Sequence, residues 1–557
     1  MRTLSLAVLC LLSTLATACT DDDASSPDEE WGMEGPLEPT PPPGKEDSEL
    51  RKGPLVNTNT TRTQVWTALN KWEDTSTTAA RAAGLAWDAD SGLSWDEKYA
   101  AWLASLGWIP SIDGYATTFE LTTPWGVTLP SPSLECAEMA MFLRITFAAW
   151  YELPFFMEAV SSGQRVYFGH FGVRANGVRF AGTPEFGVAY KDYTASPPAS
   201  WPHDATLRTR KLHGGTDAQP ALGGEARPVF GAYVDELHLN KRAAYFTVLA
   251  LNYLSSQNVG DSANTYNLVP DAVRAGDVLV ERWQASGIGH TLIVHDVRGV
   301  VGGGLDVTTI SGSMPRRQGV RESGISSKEY FTSAYAGGDG YERLGGGLKR
   351  WRVTKNVNGY WTNTWMSGDE AHWVNSTDYA RIAQRPTQFA ALLGQLTVAQ
   401  QREGLRGVIA DARHHLETYP ASCTARERRE RAFAQLYALG DRATVDVEER
   451  ELADDVLGEL AYTQSKTCCW NSSTSAMYEI VMDYATAEQA AAEEASTCVA
   501  PTVFRAEAAG YTRWATYAAQ TGRAAQWRAW SEDEGCPQRG VAQDTVAPSD
   551  ATPYCER

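Results

Sequence analysis

The chain is poor in the residues that usually announce chemistry. It has nine histidines, all isolated except His414-His415, and no Cys-x-x-Cys pair. A structural zinc site and a dithiol redox centre therefore both lack their usual signature, and the expected site contains no metal and no cofactor. Basic residues are also scarce. Lys and Arg number 49 against 68 Asp and Glu, a formal charge of −19 with no positive stripe, which argues against nucleic acid as a partner. No repeat of 20–50 residues is visible, so solenoids and propellers are excluded.

The N-terminus, by contrast, is informative. Arg2 supplies a positive start and Leu4–Leu12 a short apolar core, and Ala16-Thr-Ala-Cys19 places small residues before a cysteine. This is the layout of an export signal, and its apolar run is too short to span a bilayer permanently. Ala16-Thr-Ala-Cys19 resembles a bacterial lipobox. The resemblance implies that Cys19 is acylated and becomes the mature N-terminus, with a cleaved signal as the alternative. Thr20 follows Cys19, and by the same resemblance this implies anchoring to the outer membrane. Residues 20–60 are rich in Asp, Glu, Pro and Ser, including Pro39-Thr-Pro-Pro-Pro43. Such a segment buries no core and is expected to be a disordered tether.

The remaining cysteines sort by position. Cys10 leaves with the signal. Cys423, Cys468, Cys469, Cys498, Cys536 and Cys555 fall in the last quarter of the chain. An even set in an exported protein reads as disulfides of undetermined pairing. Cys136 alone has no such role.

Cys136 opens a helical pattern running to Trp150, with Met139, Leu143, Phe147 and Trp150 at core spacing and Ser133 expected as the N-cap. Thr61–Ala83 and Trp95–Trp108 also show helical patterns. Short strands follow from Arg165, then a Pro-, Gly- and Thr-rich excursion at 194–229 and a helix over Glu236–Gln257. Two strands are expected across Val278–Trp283 and His290–Arg298, a glycine turn at 301–304, and a third strand over Leu305–Ser313. A helix followed by an antiparallel meander predicts an α+β domain over residues 61–355, with 155–265 as an insertion. Residues 356–557 begin with an aromatic-rich stretch (Trp361, Trp365, Trp373) and then read as helices. They are expected to form an all-α domain stapled by the six distal cysteines.

Leu134-Glu-Cys136…Phe142-Leu-Arg…Leu153-Pro and Val273-Arg-Ala-Gly-Asp-Val-Leu-Val…Gly289-His290-Thr-Leu-Ile-Val resemble the helix and the Gly-His strand pair of papain-like cysteine hydrolases of the NlpC/P60 and transglutaminase-like kinds. The resemblance covers about 45 residues in two pieces. It implies Cys136 as nucleophile, His290 as base and then acid, and the Cys136 N–H as an oxyanion donor. The third partner is open. Asp296 lies six residues along the same strand, about 20 Å away at about 3.3 Å per residue. With the turn at 301–304, His290 lies opposite the far end of the neighbouring strand, around Ser313, so Ser311 or Ser313 would orient it. The transglutaminase pattern would instead choose Asp306. Arg316 or Arg317 could hold a substrate carboxylate. Two functional classes fit: an exported amide hydrolase or acyl transferase acting on peptidoglycan peptides or cell-surface protein, and a catalytically inactive fold serving as a surface-binding or scaffold lipoprotein.

Overall fold

The helix beginning at Cys136 is buried almost all round, and the elements that bury it define the first compact unit of the chain. The computed structural model describes residues 61–68, 93–282, 289–333 (302 excepted), 336, 347–375 (367 excepted), 378–418, 423–439, 490–497 and the isolated positions 487 and 519. Cys19, the expected tether, Cys468, Cys469, Cys498, Cys536, Cys555 and the side chain of Cys423 lie outside the described set. Among the described residues no helix is long and apolar enough to cross a membrane.

The first unit, ending at Gln395, is α+β. Helix α1 (Trp95–Ala104) leads into β1 (Gly107–Pro110), β2 (Thr117–Thr122), β3 (Thr128–Pro130) and β4 (Ser133–Leu134), and then α2 (Cys136–Trp150). A separate antiparallel sheet follows, made of β5 (Phe156–Ser161), β6 (Gln164–Gly169), β7 (Gly172–Ala175) and β8 (Val178–Arg179). Helix α3 (Phe186–Ala189) precedes the excursion, and α4 (Phe230–Leu237), α5 (Lys241–Tyr253) and α6 (Ser256–Gly260) follow it. Next come β9 (Thr265–Leu268), β10 (Val278–Arg282), β11 (Gly289–Gly299), β12 (Leu305–Ser311), β13 (Arg317–Gln318), β14 (Val320–Arg321) and α7 (Gly324–Thr332). The unit closes with β15 (Gly347–Trp351), β16 (Val353–Val357), β17 (Tyr360–Thr364), β18 (Trp373–Val374), α8 (Tyr379–Ala383) and α9 (Arg385–Leu393).

The central sheet runs β1-β2-β14-β12-β11-β10-β15-β9-β18, with β3 beside β2 and every pairing antiparallel. Alternation along its strands separates two cores. Val278, Val280, Ile293 and Ile310 face the core that contains α2, whereas Leu279, Leu292, Val294 and Val307 pack with Phe331 of α7 and Phe389 of α9. Each fully buried Leu, Phe or Met contributes about 1.5–3 kcal/mol of transfer free energy, so this sandwich dominates the unit's stability. The cation of α2, Arg144, is held by Asp96 at 3.2 Å and lies 4.6 Å from the ring centroid of Tyr99.

Several sequence expectations shift. Ser133 is not the cap of α2. It belongs to β4, which pairs with β13, and Glu135 takes the cap position, its N–H donating to Glu138 Oε2 at 2.8 Å. The described part of the first predicted helix, 61–68, is irregular, because its backbone serves the second sheet: Val65 N–H donates to His170 O at 2.7 Å. Helix α1 stops at Ala104, and Gly107–Pro110 is already strand. The expected helix over Glu236–Gln257 is divided among α4, α5 and α6. The aromatic stretch after residue 355 is no connector. Trp361 and Trp373 sit in β17 and β18, so the α+β unit extends forty residues beyond the expected boundary, to Gln395. From Leu396 onward the described residues form α10 (Val398–Thr418) and α11 (Cys423–Leu439), with Leu405, Ile409, Phe433 and Leu436 buried.

Candidate active site

Strand β11 determines which groups Cys136 meets. Val294 N–H donates to Asp277 O at 2.8 Å, on the β10 side. In an antiparallel ladder the hydrogen-bonding direction alternates residue by residue. Positions 290, 292 and 294 therefore aim their backbone groups at β10, and 291 and 293 aim theirs at β12. The pairing Ile293↔Ile310 would continue as Thr291↔Gly312, but β12 ends at Ser311. The Thr291 N–H, left over by that ending, donates to the thiol of Cys136.

Gly312 makes this substitution possible. A Cβ at that position would stand 2.6 Å from the carbonyl oxygens of both Leu134 and Glu135, so only glycine lets the approach to α2 close against the strand end. The chain then doubles back. Ser313 N–H donates to Leu134 O at 3.3 Å, and Arg317↔Leu134 and Gln318↔Ser133 pair as β13 and β4.

Three charged groups surround the first turn of α2. Arg316 grips Glu138 with two bonds, Nε to Oε2 at 2.9 Å and Nη2 to Oε1 at 2.7 Å. The same guanidinium donates to the carbonyls of His213, at 2.6 Å, and Gly214. The excursion is thus tied down beside the site, and Gln219 adds a second tie by donating to Ser133 O at 3.0 Å and accepting from Ser133 N at 2.8 Å. Arg316, 3 % exposed and fully engaged, is a clamp and is not free to take a substrate carboxylate. Burial, reinforced by Glu138 and opposed by Arg316, pushes the Glu135 carboxyl up to about 8.

Burial also governs the thiol. It pushes Cys136 up to about 11; the N–H groups of Thr291 and Ala137 act against it, and the charges of Glu135 and Glu138 act with it. At neutral pH the resting group is a protonated thiol.

His290 stands one peptide bond from the amide that touches Cys136. By alternation its side chain shares a face with Leu292, and its ring centroid lies 5.6 Å from that of Tyr330 on α7. The thiol and the imidazole therefore flank the same stretch of β11, the former arriving with α2 and the latter on the α7 side. Ser311 pairs with Leu292 and β12 ends there, so neither Ser311 nor Ser313 is paired with His290 in the ladder. The Ser311 hydroxyl donates to Glu322 and accepts from Arg317 at 3.2 Å, which commits it elsewhere than to His290. Ser313 lies past the strand end and is half-buried. Asp306 pairs with Arg298 and Asp296 with Thr308, far along the ladder. His295, the extra residue of a bulge between Val294 and Asp296, shifts their register by one.

Sequence reasoning missed Glu281 and Glu322. Glu281 is the cross-strand partner of His290 and is buried. Its signal was present, a carboxylate closing the apolar run Val278-Leu-Val, but locating it opposite His290 requires the length of the intervening turn. Glu322 is buried on the far side of Ser311, its N–H donating to Thr309 O at 2.9 Å. Trp365 and Trp373 pack 5.8 Å apart against the α7–α9 core. Among the described residues no three His, Cys, Asp or Glu side chains are grouped to hold a metal.

No protein family, curated protein or solved structure matches this chain.

Proposed function

We propose that the α+β unit is a papain-like thiol hydrolase or acyl transferase, exported and lipid-anchored at Cys19 to the outer membrane. Its substrates would be amides of peptidoglycan peptides or of cell-surface protein. The observation that carries the reading is the Thr291 N–H donated to the Cys136 thiol. Bond lengths and the span of an N–H···S contact put that sulfur within about 7 Å of His290 Cα, with the imidazole lying toward Tyr330. In the reaction, Cys136 Sγ attacks the amide carbonyl as its proton passes to His290. The oxyanion meets the N–H of Cys136 at the start of α2, and His290 returns the proton to the departing amine. Water or an acceptor amine then releases the thioester. The raised thiol means that proton transfer accompanies attack, without a standing thiolate–imidazolium pair.

A second reading, a binding fold without catalysis, is favoured by the same raised thiol and by the carboxylates at positions 135 and 138. Incubation with purified stem-peptide fragments and acyl-amide probes, followed by intact-mass and peptide analysis, separates the two. The catalytic reading expects an acyl adduct on Cys136 that is absent in Cys136→Ala and His290→Ala proteins of unchanged circular dichroism. An adduct that survives His290→Ala, or no adduct from any amide tested, overturns it.

A further inference from the structure

We infer that Glu281 is the positioning residue for His290, a role that rests on the catalytic reading of His290 given above. The argument starts from the ladder. Glu281 and His290 are paired directly across β10 and β11. By the alternation fixed at Val294 this is a hydrogen-bonded pair, whose Cα atoms stand about 5.5 Å apart with both side chains on the same face. Both residues are buried, at 8 % and 6 % exposure. A buried carboxylate costs several kcal/mol unless a donor faces it, and an imidazole N–H on the neighbouring strand is such a donor. The competing candidates are engaged or displaced: Ser311 donates to Glu322, and Asp296 and Asp306 lie farther along the sheet. Glu281 thus takes the place that the sequence assigned to a serine, and it comes from the strand before His290 instead of the one after.

Among the described residues, the titratable and charged groups that face this end of β11 are Glu281 from β10, Tyr330 from α7, Cys136 from α2, and Glu322 with Arg317 around Ser311. Of these, Glu281 is the one in direct register with the imidazole. A carboxylate there fixes the ring's tautomer and favours its protonated form, as an orienting acid does in a nucleophile–base–acid set.

The test is an NMR titration of the full chain carrying ring-labelled histidine, with the His290 signal assigned by its loss in His290→Gln. In the unsubstituted protein His290 titrates above the ordinary histidine value of about 6.5 despite its burial. In Glu281→Gln, which keeps shape and removes charge, the midpoint falls by about one unit or more. In Glu281→Asp it moves by less. A native midpoint below about 6.5, or one unmoved by Glu281→Gln, overturns the assignment. If Glu281→Gln does not fold, the native midpoint alone still decides. Because the titration does not read acylation, failure of this pairing and failure of thiol catalysis are separate results.

Discussion

The protonated resting thiol of Cys136 yields the sharpest prediction, the pH profile of its alkylation. With its titration pushed to about 11, Cys136 is about 0.1 % thiolate at pH 8, whereas an ordinary cysteine near 8.5 is about 24 % thiolate. That is a deficit of about 200-fold. A more basic thiolate is also more nucleophilic, and a Brønsted slope of about 0.4–0.5 over that difference returns about 10-fold. The net expectation is alkylation about 20-fold slower than for an exposed cysteine, before any loss from limited access. Since access also slows the reaction, the shape of the profile decides. The rate should climb tenfold per pH unit from 7 to beyond 10, without the plateau that an ordinary thiol shows near pH 9. Iodoacetamide labelling of the intact protein, quantified on the tryptic peptide that ends at Arg144, supplies the curve. Glu135→Gln adds a sign check. Glu135 becomes charged only above about 8, so removing its charge accelerates labelling above that pH and leaves the rate below it unchanged. A plateau in the native protein below pH 9 would refute the argument that burial outweighs the two N–H donors.

Other consequences can be measured on the same protein. The Glu135 carboxyl is raised from an ordinary value to about 8, so the folded chain holds a proton that the unfolded chain releases; this contribution is full below about 4.5 and is lost as pH rises through 8. Urea midpoints should therefore fall between pH 5 and 9 by more in the native protein than in Glu135→Gln, and equal falls would contradict this. Arg316→Met leaves buried Glu138 and two carbonyls without their donor, a loss of about 3–5 kcal/mol by denaturant unfolding; a loss under 1 kcal/mol would show that the clamp is not structural. Gly312→Ala forces a Cβ against two carbonyl oxygens and should cost about 1–3 kcal/mol while altering Cys136 labelling. An unchanged labelling profile would mean that the strand end and α2 move apart without consequence. Cys19→Ser should shift the protein from the membrane to the soluble fraction, and retention there would exclude lipid anchoring at that residue.

How far the sequence could be read depended on whether a signal was local. The α2 run, the β10–β11–β12 meander and the glycine turn at 301–304 are written in periodicity and turn residues, and they stand where the pattern puts them. The partner of His290 was not legible by counting from that turn, because the His295 bulge shifts the register and β12 ends at Ser311, opposite Leu292. Partners that arrive from distant sequence were not legible. Nothing near Glu138 announces that Arg316 will clamp it, and nothing in the excursion at 194–229 announces that Gln219 will hold Ser133. The end of the α+β unit is not legible either, because aromatic residues such as Trp361 and Trp373 look alike in sequence whether they connect or pair.

The parity of β11 carries a consequence for chemistry. Cys136 meets the strand at an odd-numbered amide and His290 leaves it at an even-numbered Cα, so the two groups share one peptide unit while belonging to different layers. On the proposed catalytic reading, a carbonyl attacked by the thiol would lie along the strand end where β12 stops, in the gap that Gly312 keeps narrow. Neither sheet face offers such an approach, since α2 covers one and α7 with α9 covers the other. On that reading, an extended amide running past the end of β12 satisfies both groups. Peptide amides in extended form should therefore acylate Cys136 faster than compact amides of equal reactivity. Equal rates for the two would place the reacting carbonyl elsewhere.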